Sequence, residues 1–197
     1  MKDDHVYALE CQAGESASFG ILYDRYIEKI YRFIYYKTFS KEVTEDLVSD
    51  VFTKALEKIH SYQPEKGPFS AWLYRIARNG VIDYYRTRKS TVTIDDTFEL
   101  STDDRTAEAH DAVNALGKVT EYLKTLTPKQ REIITLRVWE EKSYREIAEI
   151  VGGTEDSVKM AFSRSIRDVR EQCGPFALTV LMCALGNMHA LPFTDLS

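Results

Sequence analysis

Residues 143–170 read SYREIAEIVGGTEDSVKMAFSRSIRDVR and predict two short helices joined by a glycine turn. The first helix opens on Ser143 and has Glu146 three residues on, which is the spacing of a capping box. The glycine pair ends this helix, because glycine enters left-handed conformations at low cost. The second helix keeps its basic residues on one side. This pattern is typical of a helix-turn-helix whose second helix enters the DNA major groove, although a helical hairpin in any α-protein would share it.

The overall charge limits how such a protein could bind DNA. The 197 residues carry a net charge of -5 at pH 7, and the sequence pI is about 5.5. Non-specific affinity for nucleic acid comes from neutralising phosphates, so a protein that coats nucleic acid by bulk charge is excluded. Any DNA binding must use local basic patches or the help of a partner.

The remaining composition argues against metal and catalytic sites and leaves open whether Cys173 and Cys183 have a redox role. The three cysteines, Cys11, Cys173 and Cys183, are widely separated and lack the spacing of zinc ligands. The four histidines are scattered, and no glycine-rich phosphate loop is present. The N-terminal MKDDHVYALE has no signal-peptide core. We therefore expect a cytoplasmic protein that is not an enzyme and has no cofactor, no metal and no small-molecule substrate.

Helical periodicity runs through the first half of the chain. Apolar residues recur every three to four positions over 16–39, over a second helix expected to start at a Thr44 cap, and over 69–89. The segment 61–68 is a loop by its proline and glycine content. No segment alternates as a strand would, so the sequence predicts an all-α fold.

The helix at 69–89 is both basic and aromatic. Five basic residues stand against one aspartate, and Trp72, Tyr74, Tyr84 and Tyr85 are interleaved with them. Cations that hold the backbone and rings that stack on bases are what single-stranded nucleic acid binding requires. The other interpretation is a solvent-exposed basic helix face whose aromatic residues pack in the core. Composition alone leaves both interpretations open.

An acidic segment divides the chain into two small helical domains. Seven acidic residues stand against one arginine between 95 and 111, where large apolar residues are few, as in a flexible linker. We predict a first domain over 1–92, the linker over 93–111, a second domain over 112–172 and an apolar tail over 173–197. The tail is too short and too polar to span a membrane, and its role stays open.

Four motifs together resemble a known family. EDLVSDVFTKALEKI (45–59), FSAWLYRIARNGVIDYYR (69–86), LTPKQREIITLR (126–137) and the opening stretch occur in this order around the acidic linker. The chain is similar to bacterial sigma factors of the sigma-70 family, extracytoplasmic-function group, which keep sigma regions 2 and 4. The resemblance covers roughly 16–170. It implies a protein that binds RNA polymerase core and directs it to promoters.

The resemblance also implies partners and sites. Its partners would be the clamp and flap of the polymerase core, promoter DNA and an anti-sigma factor. The helix expected to meet the clamp of the largest subunit carries Asp46, Leu47, Asp50, Val51 and Phe52. The -10 element, read as melted single strand, would meet Tyr62, Lys66, Arg75, Arg78, Asn79, Tyr85 and Arg86. The -35 element, read as duplex, would meet Thr154, Glu155, Ser157, Lys159, Met160, Ser163, Arg164 and Arg167.

Two alternatives compete with a sigma factor. A stand-alone helix-turn-helix regulator would account for 143–170 but would leave the basic helix at 69–89 unexplained. The second alternative is a protein-binding adaptor that associates with a membrane through the tail. Promoter-dependent initiation with purified core polymerase separates the three, because only a sigma factor would support it.

Overall fold

The computed structural model of the chain describes residues 2–89, 119 and 121–173, and these residues form helices and turns without a strand. The predicted linker and most of the apolar tail, with Cys183, lie outside the described residues. The described helices are α1 (Asp4–Gln12), α2 (Ala17–Thr38), α3 (Lys41–Glu57), α4 (Phe69–Lys89), α5 (Pro128–Ile134), α6 (Tyr144–Val151) and α7 (Glu155–Cys173). The predicted all-α class is confirmed.

Helix α2 is the central helix of the first domain. Leu22, Ile30, Phe33 and Ile34 recur at helical spacing and are almost fully buried, so one face of α2 lies in the core. The helix ends at Phe39, whose backbone is left-handed with φ of 51° and whose N–H donates to the Tyr35 carbonyl. The chain then turns into α3.

Helix α3 starts earlier than the predicted Thr44 cap, which is a correction. Ser40 is the N-cap, because its hydroxyl accepts a hydrogen bond from the Val43 N–H. Thr44 lies inside the helix, fully buried, and its hydroxyl donates to the Ser40 carbonyl at 2.6 Å. Both residue types favour caps, and the one that precedes the helical run takes that position.

Helix α1 was not predicted from the sequence. It packs against α2 and α4 and buries Ala8 and Cys11. Its Asp4 accepts hydrogen bonds from Arg25 (2.6 Å) and from the Tyr26 hydroxyl on α2. A short helix held by a few apolar contacts and one ion-paired carboxylate has a weak periodic signal, and this explains why it was missed.

Helix α4 closes the first core. Phe69, Leu73, Tyr74 and Ala77 are almost fully buried against α2 and α3. The Tyr74 ring meets the Phe33 ring edge-on at 5.0 Å between centroids. Two short 3-10 turns, Ile59–Ser61 and Pro64–Lys66, precede the helix and form the loop that was predicted there.

The described part of the second domain contains helical residues at 119 and 121–125 and continues through α5. Thr127 and Gln130 form a complete capping box at the start of α5, with Pro128 at the first position. A π-helical turn (Thr135–Trp139) continues α5.

The predicted helix-turn-helix consists of α6, the turn and α7. Ser143 and Glu146 form the expected capping box of α6. Gly152 and Gly153 have φ of 74° and 142°, values that L side chains rarely adopt, so the turn needs glycine. Within the described residues, no helix is long and apolar enough to cross a bilayer.

The two domains share buried hydrophobic clusters. A single buried cluster contains Leu22 and Phe69 of the first domain together with Leu136, Ile147 and Val158 of the second. Helix α6 packs on α4, and α5 packs on α2. The second domain is therefore docked on the first, with the α2–α4 face between them.

Candidate functional site

Helix α7 presents its predicted DNA-reading side chains to solvent. Met160 is 55% exposed, and Ser157 is the half-buried member of the set. The exposed members are Thr154, Glu155, Lys159, Met160, Ser163, Arg164 and Arg167. Val158, Ile166 and Val169 face the core, so helical periodicity separates the two sets as predicted. One face of α7 is thus available to a duplex.

The N-terminus of α7 is fixed by a reciprocal pair of hydrogen bonds. The Ser157 N–H donates to the Thr154 hydroxyl, and the Thr154 N–H donates to the Ser157 hydroxyl, both at 3.2 Å. These bonds satisfy backbone donors that helix starts leave open. The geometry assigns Thr154 and Ser157 a capping function before any contact with DNA.

Helix α4 displays a mixed basic face. Asn79 is exposed, and Arg75 is half-buried. Tyr85 is 40% exposed and its hydroxyl donates to the Lys37 carbonyl at 2.8 Å, while Arg86 pairs with Asp83 at 3.1 Å. These predicted -10 residues lie along one helix, and Tyr85 and Arg86 already have partners within the first domain.

The loop before α4 places its two predicted residues differently. Lys66 is exposed, whereas Tyr62 is 3% exposed. The Tyr62 ring packs against Phe69 at 5.5 Å and Trp72 at 5.8 Å between centroids. Its hydroxyl donates to the Gly67 carbonyl at 3.4 Å. Tyr62 therefore supports the loop from beneath and offers no open ring face in this structure.

Sequence reasoning missed Gln12, which holds the same loop. Its side-chain amide donates to the carbonyl oxygens of Ile59 and Tyr62, each at 2.8 Å. A glutamine in an unassigned N-terminal segment carries no signal for such a contact. The residue is separated from its partners by about fifty positions, so only the tertiary fold brings them together.

A buried charged cluster between the domains was also missed. The Glu132 carboxylate of α5 lies 3.1 Å from Lys37 Nζ on α2 and 3.2 Å from Arg78 Nε on α4. The side chains of Lys37 and Glu132 are 9% and 4% exposed. Burial lowers the pKa of Lys37, and the neighbouring Glu132 charge opposes that shift. Arg78, a predicted -10 residue, is thus paired with the other domain.

A second carboxylate crosses the same interface. Glu140 accepts from the Arg32 guanidinium of α2 at 2.9 Å, and its side chain is almost fully buried. Burial raises the pKa of Glu140, opposed by the Arg32 charge. Nearby, the Lys142 ammonium donates to the Ser70 hydroxyl at 2.9 Å.

A cationic groove of about 720 Å³ opens beside this cluster, between α4 and α5. Val81, Ile82 and Pro128 form part of its apolar wall. Its basic lining residues are Lys37, Arg78, Arg86, Lys129 and Arg131. Glu132 is the one acidic residue in the described lining, so the groove favours anions.

Helix α3 shows an acidic surface over a buried layer. Asp46 and Asp50 are exposed, and Asp50 lies 4.0 Å from Lys54. Leu47, Val51 and Phe52 are buried, so these three predicted polymerase-binding residues lie behind the surface. Only the two aspartates of the predicted set can touch a partner without rearrangement.

The described residues give no sign of a metal or redox centre. No group of three or more histidine, cysteine or acidic side chains is close enough to hold a metal ion within the described ranges. Cys11 is a buried free thiol, and burial raises its pKa. Cys173 is half-buried at the end of α7.

Known proteins match both domains. The family models "Sigma-70 region 2" and "Sigma-70, region 4" match residues 22–91 and 116–169. The ECF RNA polymerase sigma factor SigM of Bacillus subtilis is 34% identical over 146 residues, 73% of this chain and 88% of SigM. The ECF RNA polymerase sigma factor BldN of Streptomyces coelicolor is 33% identical over 159 residues, 79% of this chain, and the match spans 60% of BldN.

Solved structures show the same fold. CnrH in complex with the cytosolic domain of CnrY has a TM-score of 0.64 at 24% identity, covering 92% of this chain and 97% of CnrH. RpoE in complex with the anti-sigma factor NepR from Bartonella quintana has a TM-score of 0.61 at 24% identity, and the match covers 78% of this chain and 95% of that chain.

The fold and the exposed α7 define a helix-turn-helix protein with two helical domains. The chain belongs to the extracytoplasmic-function group of the sigma-70 family, the class of proteins that give RNA polymerase promoter-specific initiation.

Proposed function

We propose that this protein binds RNA polymerase core and directs it to promoters, reading the -35 element as duplex and the -10 element as melted strand. One observation carries the proposal: this member of the family has both an exposed helix-turn-helix, which contains α7, and a separate basic and aromatic helix, α4. A stand-alone regulator would need only α7.

At the -35 element, α7 would enter the major groove by its N-terminal half. Lys159, Met160, Ser163 and Arg164 are exposed on the face that would meet base edges. Arg167 lies one turn further along and would hold a phosphate, which positions the helix without reading sequence. Thr154 and Ser157 would act by fixing the helix start.

At the -10 element, α4 and its preceding loop would hold one unpaired strand. Asn79 can hydrogen-bond a base edge, while Arg75, Arg78 and Arg86 would hold the backbone. A base extruded from the stack needs a preformed pocket to offset an unstacking cost of a few kcal/mol. Lys66 is exposed in that loop and could hold the strand, and Tyr62 would keep the loop in shape from beneath.

Polymerase binding would use α3. Asp46 and Asp50 would supply charged contacts to the clamp of the largest subunit, over the buried layer of Leu47, Val51 and Phe52. The second domain would meet the flap. An anti-sigma factor would be the regulatory partner. We place this activity in the cytoplasm, and we propose no enzymatic reaction, cofactor or small-molecule substrate.

Initiation in vitro tests the proposal. Purified core polymerase, the protein and a library of promoter fragments should give transcripts of defined start only when the protein is present. Asn79→Ala should reduce that initiation while Lys58→Ala, on an exposed residue outside the proposed sites, leaves it intact. Tight sequence-specific duplex binding without core polymerase, and no initiation with it, would identify a stand-alone regulator instead.

A further inference from the structure

We propose that the cationic groove between α4 and α5 is a binding site for a small nucleotide, a ligand that joins an aromatic base to two or more clustered phosphates. The site goes beyond the proposed function, because neither promoter recognition nor polymerase binding requires a small ligand. The groove has a volume of about 720 Å³, and small-molecule sites usually measure about 300–1,000 Å³. The charge and the surface of its walls define the ligand class.

Positive charge is in excess in the groove. Glu132 is shared between Lys37 and Arg78, and Arg86 pairs with Asp83, which does not line the groove. One carboxylate inside the groove and one beside it therefore leave three of the five positive charges unbalanced. The five basic side chains are those of Lys37, Arg78, Arg86, Lys129 and Arg131. An anion bound here would offset the excess.

Burial adds to the cost of this excess charge. Arg131 has no ion-pair partner among the described residues, and its guanidinium donates to three backbone carbonyls instead. Burial lowers the pKa of Arg131. Burial also lowers the pKa of Lys37; Glu132 opposes this shift, while the nearby charges of Arg78 and Arg131 add to it. These cations therefore repel one another, and a multiply charged anion would relieve the repulsion.

The positive charges stand on both sides of the groove. Arg86 belongs to α4 of the first domain, whereas Lys129 belongs to α5 of the second. A nucleic acid strand carries one charge per nucleotide along its backbone. A nucleoside di- or triphosphate concentrates several charges in one short chain, so it can contact cations that converge from two walls. The charges therefore favour a free nucleotide over a strand.

The rest of the groove suits the base of a nucleotide. Val81, Ile82 and Pro128 form part of the apolar wall. Tyr85 also lines the groove and is 40% exposed, and its hydroxyl donates to the Lys37 carbonyl, which restrains the ring. Nucleic acid bases stack on exposed aromatic rings of this kind. An apolar and aromatic wall beside a cluster of cations is the arrangement that a nucleotide requires.

Isothermal titration calorimetry of the full chain, in buffer without magnesium, DNA or polymerase, tests the site. The probes are ADP, GDP, inorganic pyrophosphate and adenosine. At least one of the two nucleotides should bind with a stoichiometry of one. Because base and phosphates contribute separately, pyrophosphate should bind about fivefold more weakly and adenosine about fiftyfold more weakly. The nucleotide should also raise the midpoint of thermal unfolding, since a ligand of the folded state stabilises it.

Two matched pairs of variants locate the site. Ile82→Glu places a negative charge on the apolar wall, whereas Ile21→Glu makes the same change on α2, outside the groove, at a side chain of similar exposure, 40% against 45%. I82E should weaken nucleotide binding by about tenfold, and I21E should match wild type. Lys129→Ala should weaken it by about threefold or more, and Lys58→Ala, also exposed, should not. Thermal unfolding without ligand checks that each variant is folded.

Four results would overturn the proposal. They are no binding of either nucleotide, pyrophosphate binding as tight as nucleotide binding, losses in I82E and K129A no larger than in their controls, and a single-stranded DNA oligonucleotide that outcompetes the nucleotide and loses affinity in I82E. The last result would assign the groove to a strand. None of these titrations uses a promoter or polymerase, so their failure leaves the proposed function standing. A protein that binds nucleotide but supports no initiation would overturn the proposed function alone.

Discussion

The side-chain amide of Gln12 lies 2.8 Å from the backbone carbonyl oxygen of Tyr62 and donates a hydrogen bond to it. The same amide nitrogen lies 2.8 Å from the Ile59 carbonyl. One side chain of α1 thereby joins the end of α3 to the loop that precedes α4. The N-terminal helix becomes part of the proposed -10 surface although none of its residues would touch DNA.

Replacing Gln12 by alanine should loosen this loop. Two partly buried carbonyls would lose their donor, which should cost about 1–2 kcal/mol of unfolding free energy. Binding of a -10 single strand by the polymerase complex should lose discrimination at the base next to the loop more than it loses total affinity. Denaturant unfolding and competition between oligonucleotides that differ at one base measure the two effects.

Gln172→Ala is the control for this substitution, because Gln172 is exposed at the end of α7. It should change neither stability nor base discrimination. Equal losses for matched and mismatched oligonucleotides in Q12A would contradict a positioning function and reduce Gln12 to a structural residue.

Replacing Ser165 by alanine should stabilise the protein. Its hydroxyl is fully buried and has no hydrogen-bond partner among the described residues. Burying an unpaired hydroxyl is unfavourable, and alanine is also the better helix former, so we expect a gain of about 1 kcal/mol. Thermal and denaturant unfolding measure it. A destabilised S165A would show that the hydroxyl has a partner in the rest of the chain.

Ser157→Ala, in the same helix, should do the opposite. It removes the hydroxyl that accepts from Thr154 and donates to the Thr154 carbonyl at the start of α7. Loss of these cap contacts should cost about 1 kcal/mol. The two serine variants differ by position alone, so their contrast separates a buried unpaired hydroxyl from a capping one.

Glu146 should make the stability of α6 depend on pH. Burial opposes its ionisation, but hydrogen bonds from the Ser143 N–H and hydroxyl and the Lys142 charge outweigh burial and lower the pKa of Glu146 below 4.5. A lowered pKa gives stability that is fully present above the unfolded pKa and disappears as pH falls through the folded pKa. Wild type should therefore exceed E146A by about 1 kcal/mol at pH 7, with the difference shrinking below about pH 4.5.

The Glu146→Gln variant isolates the charge from the cap. Glutamine can still accept the Ser143 N–H but does not titrate in this range. The stability difference between E146Q and E146A should be constant from pH 7 to pH 3. A wild-type difference that stays constant as well would exclude ionised Glu146 as the source of the effect.

Alanine substitutions at two arginines of α7 should weaken DNA binding in different ways. Arg164→Ala should cost about 1–3 kcal/mol on one -35 sequence and relax specificity at the base it contacts. Arg167→Ala should weaken binding equally on all sequences and reduce the slope of log affinity against log salt by about 1. Titrations of the polymerase complex on wild-type and substituted -35 duplexes measure both, with Lys58→Ala as the unaffected control.

Local chemistry predicted much of this fold. The capping boxes at Thr127 and Ser143 and the glycine turn depend on neighbours within four residues, so the sequence contains the whole interaction. The start of α3 was predicted four residues too late, because Ser40 and Thr44 have the same capping chemistry and lie one turn apart. Capping propensity does not distinguish the two residues. The burial of Thr44 in the core of the first domain leaves Ser40 as the cap.

The docking of the domains lies beyond such reasoning. Glu132 sits among KQREIITLR, where periodicity and charge are typical of an exposed helix face. Its partners Lys37 and Arg78 are distant in sequence, and neither has a local feature that calls for a carboxylate. The burial of Tyr62 is similar: a tyrosine beside a basic helix suggests a stacking surface, and only packing against Trp72 and Phe69 shows a supporting function.

Because both partners of Glu132 belong to the other domain, its loss should act on the docking of the domains and not on a DNA contact. Alleles that remove Arg164 or Asn79 would be recessive and silence their target genes. An allele at Glu132 would leave those DNA contacts in place but would leave Lys37 and Arg78 without their shared carboxylate. Because an uncompensated buried charge is strongly destabilising, such an allele should have a temperature-sensitive phenotype that follows protein stability, unlike an allele that removes a DNA contact.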